Sequence, residues 1–487
     1  MKRVEEQLKR SAGVLPETAL AEYRDGTADV QRTRKDGAVK KPPVRGLQFF
    51  SPSLVLAHTL FLNEIRSYSE DFDMYVIRAF VAFWLVVGVR ASAAEWPCWR
   101  GPNADGVCDE SRLPLTWSTT ENIRWKVPLP GPGNSTPIVW GSRVFLTQAL
   151  DNGKRRAVIA FRRADGEKLW QREVVCAVKE TTNGQNPPCS GSPVTDGKAV
   201  YAHFASAGVV AYDLDGKRLW HRDLGPVLHR HGNGSSPILY KDLLIVYQGP
   251  GEPTFLIALD KRSGKTVWKK EETGINSPVF GSWSTPIVIR SREQDALVMP
   301  LPGGSVGGDG KLKAYDPATG KELWHCTGLG TEIYAMPVVV GDMVVGISGH
   351  NGPTMAVRLG GRGDVTKTHR LWRIGKNPQR VGSGVLHDGH LYLANADGFA
   401  ECIDARNGKT VWKERLGGQL WGSMLLADDN VYVSNLEGQT FVLAASPKFR
   451  LIAKNEIFEP IYAAPAASNG EILLRTYQHL YCISPSK

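Results

Sequence analysis

From about residue 122 onward, short apolar runs alternate with polar turns, and inside each run the apolar positions recur at every second residue. A period of two is the signature of half-buried strands. One stretch reads as strands over 238–240, 243–248, 254–259 and 266–269, and units of this kind return every 40 to 56 residues or so. Within them one phrase recurs: an apolar strand, a polar residue, a glycine turn with lysine, then tryptophan. It stands at 160–170 (AFRRADGEKLW), 211–220 (AYDLDGKRLW), 258–268 (ALDKRSGKTVW), 314–324 (AYDPATGKELW) and 402–412 (CIDARNGKTVW), and a copy stretched by a Gly-rich insertion spans 356–372. Before each phrase the chain enters a strand behind small residues, at Pro137, Pro193, Pro237, Pro286, Pro337, Val385, Met424 and Pro465. Eight starts predict eight units.

A lone four-stranded sheet cannot cover both of its faces, whereas sheets stacked radially cover one another. The eighth unit stops after its third strand at 479–484, and 123–127 (IRWKV) reads as an orphan fourth strand. Pairing the two would close the ring and remove its open edges. The expected fold is therefore all-β, an eight-bladed β-propeller of four-stranded antiparallel blades over 122–487, with 95–121 as a leading segment packed on the propeller wall. The seventh unit carries Leu451-Ile452-Ala453-Lys454 where the tryptophan is due.

The phrase A-x-D-x-x-(T/N)-G-K-x-x-W resembles the pyrroloquinoline-quinone-like (PQQ-like) propeller repeat, shared by quinoprotein alcohol dehydrogenases and the BamB family of outer-membrane assembly factors. It lacks the Trp-Asp and Gly-His signatures of WD40 blades. The repeated Trp125, Trp170, Trp220, Trp268, Trp324, Trp372 and Trp412 read as a structural device, one large ring per blade interface, rather than as a cofactor box.

Composition adds a compartment. Residues 74–94 hold the three parts of a secretory signal: Arg78, an apolar run over 79–89, and the small residues Ala91-Ser92-Ala93. A signal works from an N-terminus, so 1–73 reads as an upstream extension outside the native fold, with translation starting at Met74. The expected product is periplasmic or secreted, with no integral membrane segment and no lipid anchor at Cys98. From Glu95 onward the net charge is about +7, scattered through turns such as Lys261, Arg262 and Lys265, which gives no nucleic-acid stripe. Cys98 with Cys108, and Cys176 with Cys189, are spaced for small disulfide loops. Cys326, Cys402 and Cys482 lie on strands and read as buried small hydrophobes.

Candidate ligand residues come from a column. The long insertions at 249–253, 300–310 and 348–353 share one face, where loops on a rigid scaffold carry function. Three positions before the strand starts, beside the channel, stand Asn134, Trp283, Tyr334, Trp421 and Tyr462; two residues earlier stand Glu332, Arg380 and Gln419. Aromatic faces with a guanidinium suit a planar anion such as a quinone, but the same rings also suit a plug for the channel mouth. The His229-Arg230-His231 and His387-Asp388-Gly389-His390 spacings are read as exposed loops, and no metal-site, GxSxG or P-loop motif is present.

The resemblance implies two functions: a BamB-like scaffold binding a protein or cell-envelope polymer, or an oxidoreductase holding pyrroloquinoline quinone and calcium. Quinoprotein alcohol dehydrogenases carry an adjacent Cys-Cys pair, and no two cysteines adjoin here. The binding reading is preferred, with no catalytic residue assigned. A third reading stacks a carbohydrate on Trp283, Tyr334, Trp421 and Tyr462.

Overall fold

The structure is a computed structural model, and it describes residues 95–485 apart from 274, 276, 278, 292 and 305–308. The signal at 74–94, the upstream 1–73 and part of the 300–310 loop lie outside the described residues.

Eight four-stranded antiparallel sheets follow one another along the chain. The first blade is Ile138–Trp140, Arg143–Leu150, Arg155–Arg162 and Lys168–Val175, hydrogen-bonded in that order from inside to outside. The eighth is completed from the other end of the chain. His479–Ile483 pairs antiparallel with Ile123–Pro128, placing Trp125 opposite Cys482 and Val127 opposite Leu480. The seam is also tied by charge, since Glu471 of blade eight accepts from Arg163 of blade one at 3.0 Å with both side chains buried.

The repeated tryptophans act between blades. The indole of Trp125 donates to Arg163 O, Trp170 to Leu214 O, Trp220 to Lys261 O, Trp268 to Pro317 O, Trp372 to Ala405 O and Trp412 to Ser446 O, all between 2.8 and 3.0 Å. Each acceptor lies in the turn joining the third and fourth strands of the next blade. This explains why blade seven lacks a tryptophan: the fourth strand of blade eight arrives from the N-terminus, so blade eight has no such turn to receive a ring. Trp324 differs too, because the insertion in blade five adds Gly363–Asp364 as a parallel fifth strand beside it.

The inner edges carry a second device. In five blades the backbone N–H two residues before the innermost strand lies outside that blade's own ladder, and a buried orphan donor is costly. Thr136 N donates to Ser192 Oγ, Ser192 N to Ser236 Oγ and Ser236 N to Thr285 Oγ1; Met336 N donates to Ser383 Oγ and Ser383 N to Ser423 Oγ, all at 2.8 to 2.9 Å. These hydroxyls form a belt around the channel, each blade capping the one before.

The leading segment packs on the inner edges of blades on both sides of the channel. Trp96 bonds both ways with Val139 of blade one, and Pro97 O accepts from Thr195 of blade two. Arg100, buried, donates to Ser383 O and Gly384 O of blade six and Met424 O of blade seven. Val107–Cys108 then pairs parallel with the innermost strand of blade seven. Inner strands leave inward-facing carbonyls that need donors, and a segment rich in Trp and Arg supplies them together with apolar bulk.

All seven cysteines are free thiols. Cys98 and Cys108 pack in different apolar clusters, which separates the pair expected to bridge. Cys176 and Cys189 share one cluster but remain unbonded. Cys326, Cys402 and Cys482 are fully buried, as their strand positions imply.

Candidate functional site

Beside the leading segment the channel opens into a cavity of about 420 Å³. Trp99, from that segment, is part of its lining. Trp283, Tyr334, Trp421 and Tyr462 line it, together with Asn134 and Glu332. These six were expected at the mouth. The four rings are half-buried and leave space between them, so the cavity is walled by them rather than plugged.

The rings work in pairs from adjacent blades. Trp283 and Tyr334 have centroids 5.2 Å apart, and Trp421 and Tyr462 6.0 Å. Tyr477 stacks on Tyr462 at 4.6 Å, fixing its plane from behind. The indole of Trp283 donates to Gly232 O at 2.9 Å, and the imidazole of His229 meets its ring edge-on at 5.2 Å. Tyr334 donates to the Glu332 carboxylate at 2.6 Å. Burial, and next the Glu332 charge, push the Tyr334 phenol well up, so it stays protonated and remains the donor.

Two expected residues do not reach the cavity. Arg380 is buried and turned into blade six, where Glu401 holds it at 2.5 Å. Gln419 is exposed and lies outside the lining. Successive residues of an extended segment face opposite ways, and it is the preceding Gln379 that faces the cavity.

The structure adds residues that the column missed. Asn183, Gln185 and Asn186 reach the rim from the link between blades one and two; Ser192, Ser236 and Ser423 come from the hydroxyl belt, and His231 and His350 from loops. Asn183 and His231 are joined at 2.9 Å. The polar cluster Asn183-Gly184-Gln185-Asn186 on the insertion-bearing face was the available signal. His229, read as exposed, is buried; burial first, and then the neighbouring His231, bring its imidazole down to about 4. Burial also lowers His231. Both rings are therefore neutral near pH 7.

A quinone cofactor with calcium would need cationic partners for its carboxylates and oxygen ligands for the ion. Among the described residues the lining holds one carboxylate, Glu332, already engaged by Tyr334, and neither lysine nor arginine. Among the described residues no group of three or more His, Cys, Asp or Glu side chains is placed to hold a metal. A polycarboxylate with a divalent cation does not fit this donor set.

A family model described as outer membrane protein assembly factor BamB matches residues 111–227, 229–414 and 364–446. The BamB of Burkholderia pseudomallei is 30% identical over 116 residues, 23% of this chain and 29% of that protein. A polyvinylalcohol dehydrogenase of a Pseudomonas species is 25% identical over 353 residues, 64% of this chain and 50% of that protein. The chain thus spans half or less of the length of these relatives. The solved structure of a europium-containing methanol dehydrogenase superposes with a TM-score of 0.60 at 12% identity, covering 82% of this chain and 92% of that one. At that identity the likeness concerns the fold alone.

Proposed function

Because the chain belongs to the PQQ-like propeller family described as outer membrane protein assembly factor BamB, we propose that it is a non-catalytic binding or scaffolding propeller of the cell envelope. It is exported to the periplasm or beyond and presents the loops around its cavity to a protein or polymer partner. Among the described residues no helix is long and apolar enough to cross a membrane.

One observation supports this reading: among the described residues the cavity offers rings, amides and hydroxyls, a single engaged carboxylate and neither lysine nor arginine for an anionic cofactor. The similarity to polyvinylalcohol dehydrogenase favours a second reading, a quinoprotein oxidoreductase of alcohols or sugars. The two are separated by titrating the purified protein with pyrroloquinoline quinone and calcium while following tryptophan emission and dye-linked alcohol oxidation. The binding reading expects neither quenching nor turnover. Saturable quenching together with dye reduction would reverse the assignment.

A further inference from the structure

We propose that the cavity seats a neutral saccharide. This deepens the binding reading and rests on it, since the cavity must be a ligand site rather than a cofactor seat.

A sugar ring has apolar C–H faces and a rim of hydroxyls that both donate and accept, and the lining offers a counterpart to each. Trp283 with Tyr334 and Trp421 with Tyr462 supply two ring pairs, from blades four and five and from blades seven and eight. Their half-burial leaves aromatic surface open to a ligand. Rings with a few placed polar groups, in a volume of this size, are the usual anatomy of a small-ligand site.

The polar groups are uncharged and partly unspent. Ser192, Ser236 and Ser423 each accept one belt hydrogen bond, which leaves each O–H to donate. Asn134 gives its amide N–H to Gln185 O, while its Oδ1 is buried without a partner among the described residues. Gln379 and Gln185 line the same space, and a primary amide both donates and accepts. Donors and acceptors are thus interleaved, as vicinal hydroxyls require.

Charge selects against the alternatives. An anionic sugar or a phosphate would meet Glu332 with no cation to offset it. An organic cation would find rings and a carboxylate, but that carboxylate is tied to Tyr334, and the amides and hydroxyls would then go unused.

The experiment is calorimetry with tryptophan emission on the full chain. Cello-, malto-, manno- and chito-tetraose serve as neutral probes, with glucose as the single-ring arm, tetragalacturonate as the anion and choline as the cation. At least one neutral tetraose is expected to bind by about 1 mM, a binding free energy of about −4 kcal/mol. Trp421→Ala is expected to weaken it about tenfold and Gln379→Ala about threefold, with melting curves checking the fold. Gln185→Ala, on the exposed rim, is a second variant with little risk to folding, also expected to weaken binding about threefold. Binding of glucose as well would assign the site to free sugars, whereas tetraose alone assigns it to glycan chains; either supports the proposal. Binding only of tetragalacturonate or choline overturns it, as does no binding at about 10 mM of any neutral probe. The parallel quinone titration separates the two failures: if neither quinone nor sugar binds, the saccharide assignment falls alone, and if the quinone binds and turns over, the non-catalytic reading falls.

Discussion

Trp268 lies against Gly320 of the next blade so closely that a β-carbon on that glycine would come within 2.6 Å of the indole. Gly320 also holds φ at +72°, a conformation side-chain-bearing residues avoid. The same pairing joins Trp125 to Gly166, Trp170 to Gly216, Trp220 to Gly264 and Trp372 to Gly408. The glycine and the tryptophan of the repeated phrase therefore meet across blades rather than within one copy. Gly320→Ala should destabilise by about 2 to 3 kcal/mol, the left-handed backbone and the ring overlap both contributing. Trp268→Ala should cost about 3 to 5 kcal/mol. Chemical denaturation of the two single variants and the double variant would check the coupling. Additive effects would show that ring and glycine do not act together.

The closing seam should be sensitive to its buried charge pair. Glu471→Gln leaves the Arg163 guanidinium buried without its counter-charge, an expected loss of about 3 kcal/mol or more. Asp242→Asn, which breaks the exposed pair with Arg262, should change stability by less than about 0.5 kcal/mol. Urea midpoints of the two variants give the comparison.

Acid should weaken the fold in two windows. His229 has its folded pKa lowered to about 4, so between its ordinary value of 6.5 and 4 the unfolded chain takes up a proton that the folded chain refuses. Stability from this group is lost as pH falls through that range. For Glu459, burial alone would raise the pKa, but hydrogen bonds from Thr476, His479, Tyr481 and Lys126 bring it down to about 2. Its contribution is complete above the ordinary 4.5 and is lost towards 2. Melting temperatures from pH 7 to 3 should show the upper window shrink in His229→Asn, with His203 and His231, also lowered by burial, keeping the remainder, while the lower window is unchanged.

Burial pushes the Cys176 and Cys189 thiols up, so mild oxidation of the folded protein should leave both unjoined, and it should leave Cys98 and Cys108, which pack in different clusters, apart. Peptide mapping after mild oxidation reads the outcome. A Cys98–Cys108 cross-link would contradict the packing of the leading segment.

The ring architecture was legible because its parts repeat: strand periodicity, eight starts and the Trp-Gly phrase all recur, and the orphan strand at Trp125 is explained by the gap after Ile483. The cavity was half legible, since the aromatic column depends only on spacing from the strand starts. Arg380 was misassigned because spacing locates a residue along the chain but not the side to which it points; a shift of one residue separates it from Gln379. The leading segment and the rim at Asn183 and Asn186 occur once each. A stretch with no second copy gives no register, and nothing in its composition could show that Trp96 and Arg100 seek the carbonyls of the channel wall.

The hydroxyl belt is not continuous around the axis. Met336 and Ala464 stand in its column without a hydroxyl, so blades one to four form one stitched arc and blades five to seven another. At the joint between blades four and five, the parallel pairing of Gly281–Ser282 with Glu332–Ile333 stands beside the Trp283–Tyr334 pair, and between seven and eight the Trp421–Tyr462 pair spans the joint. These two seams, which lack a hydroxyl stitch, are therefore the ones whose two sides a molecule in the cavity would touch at once.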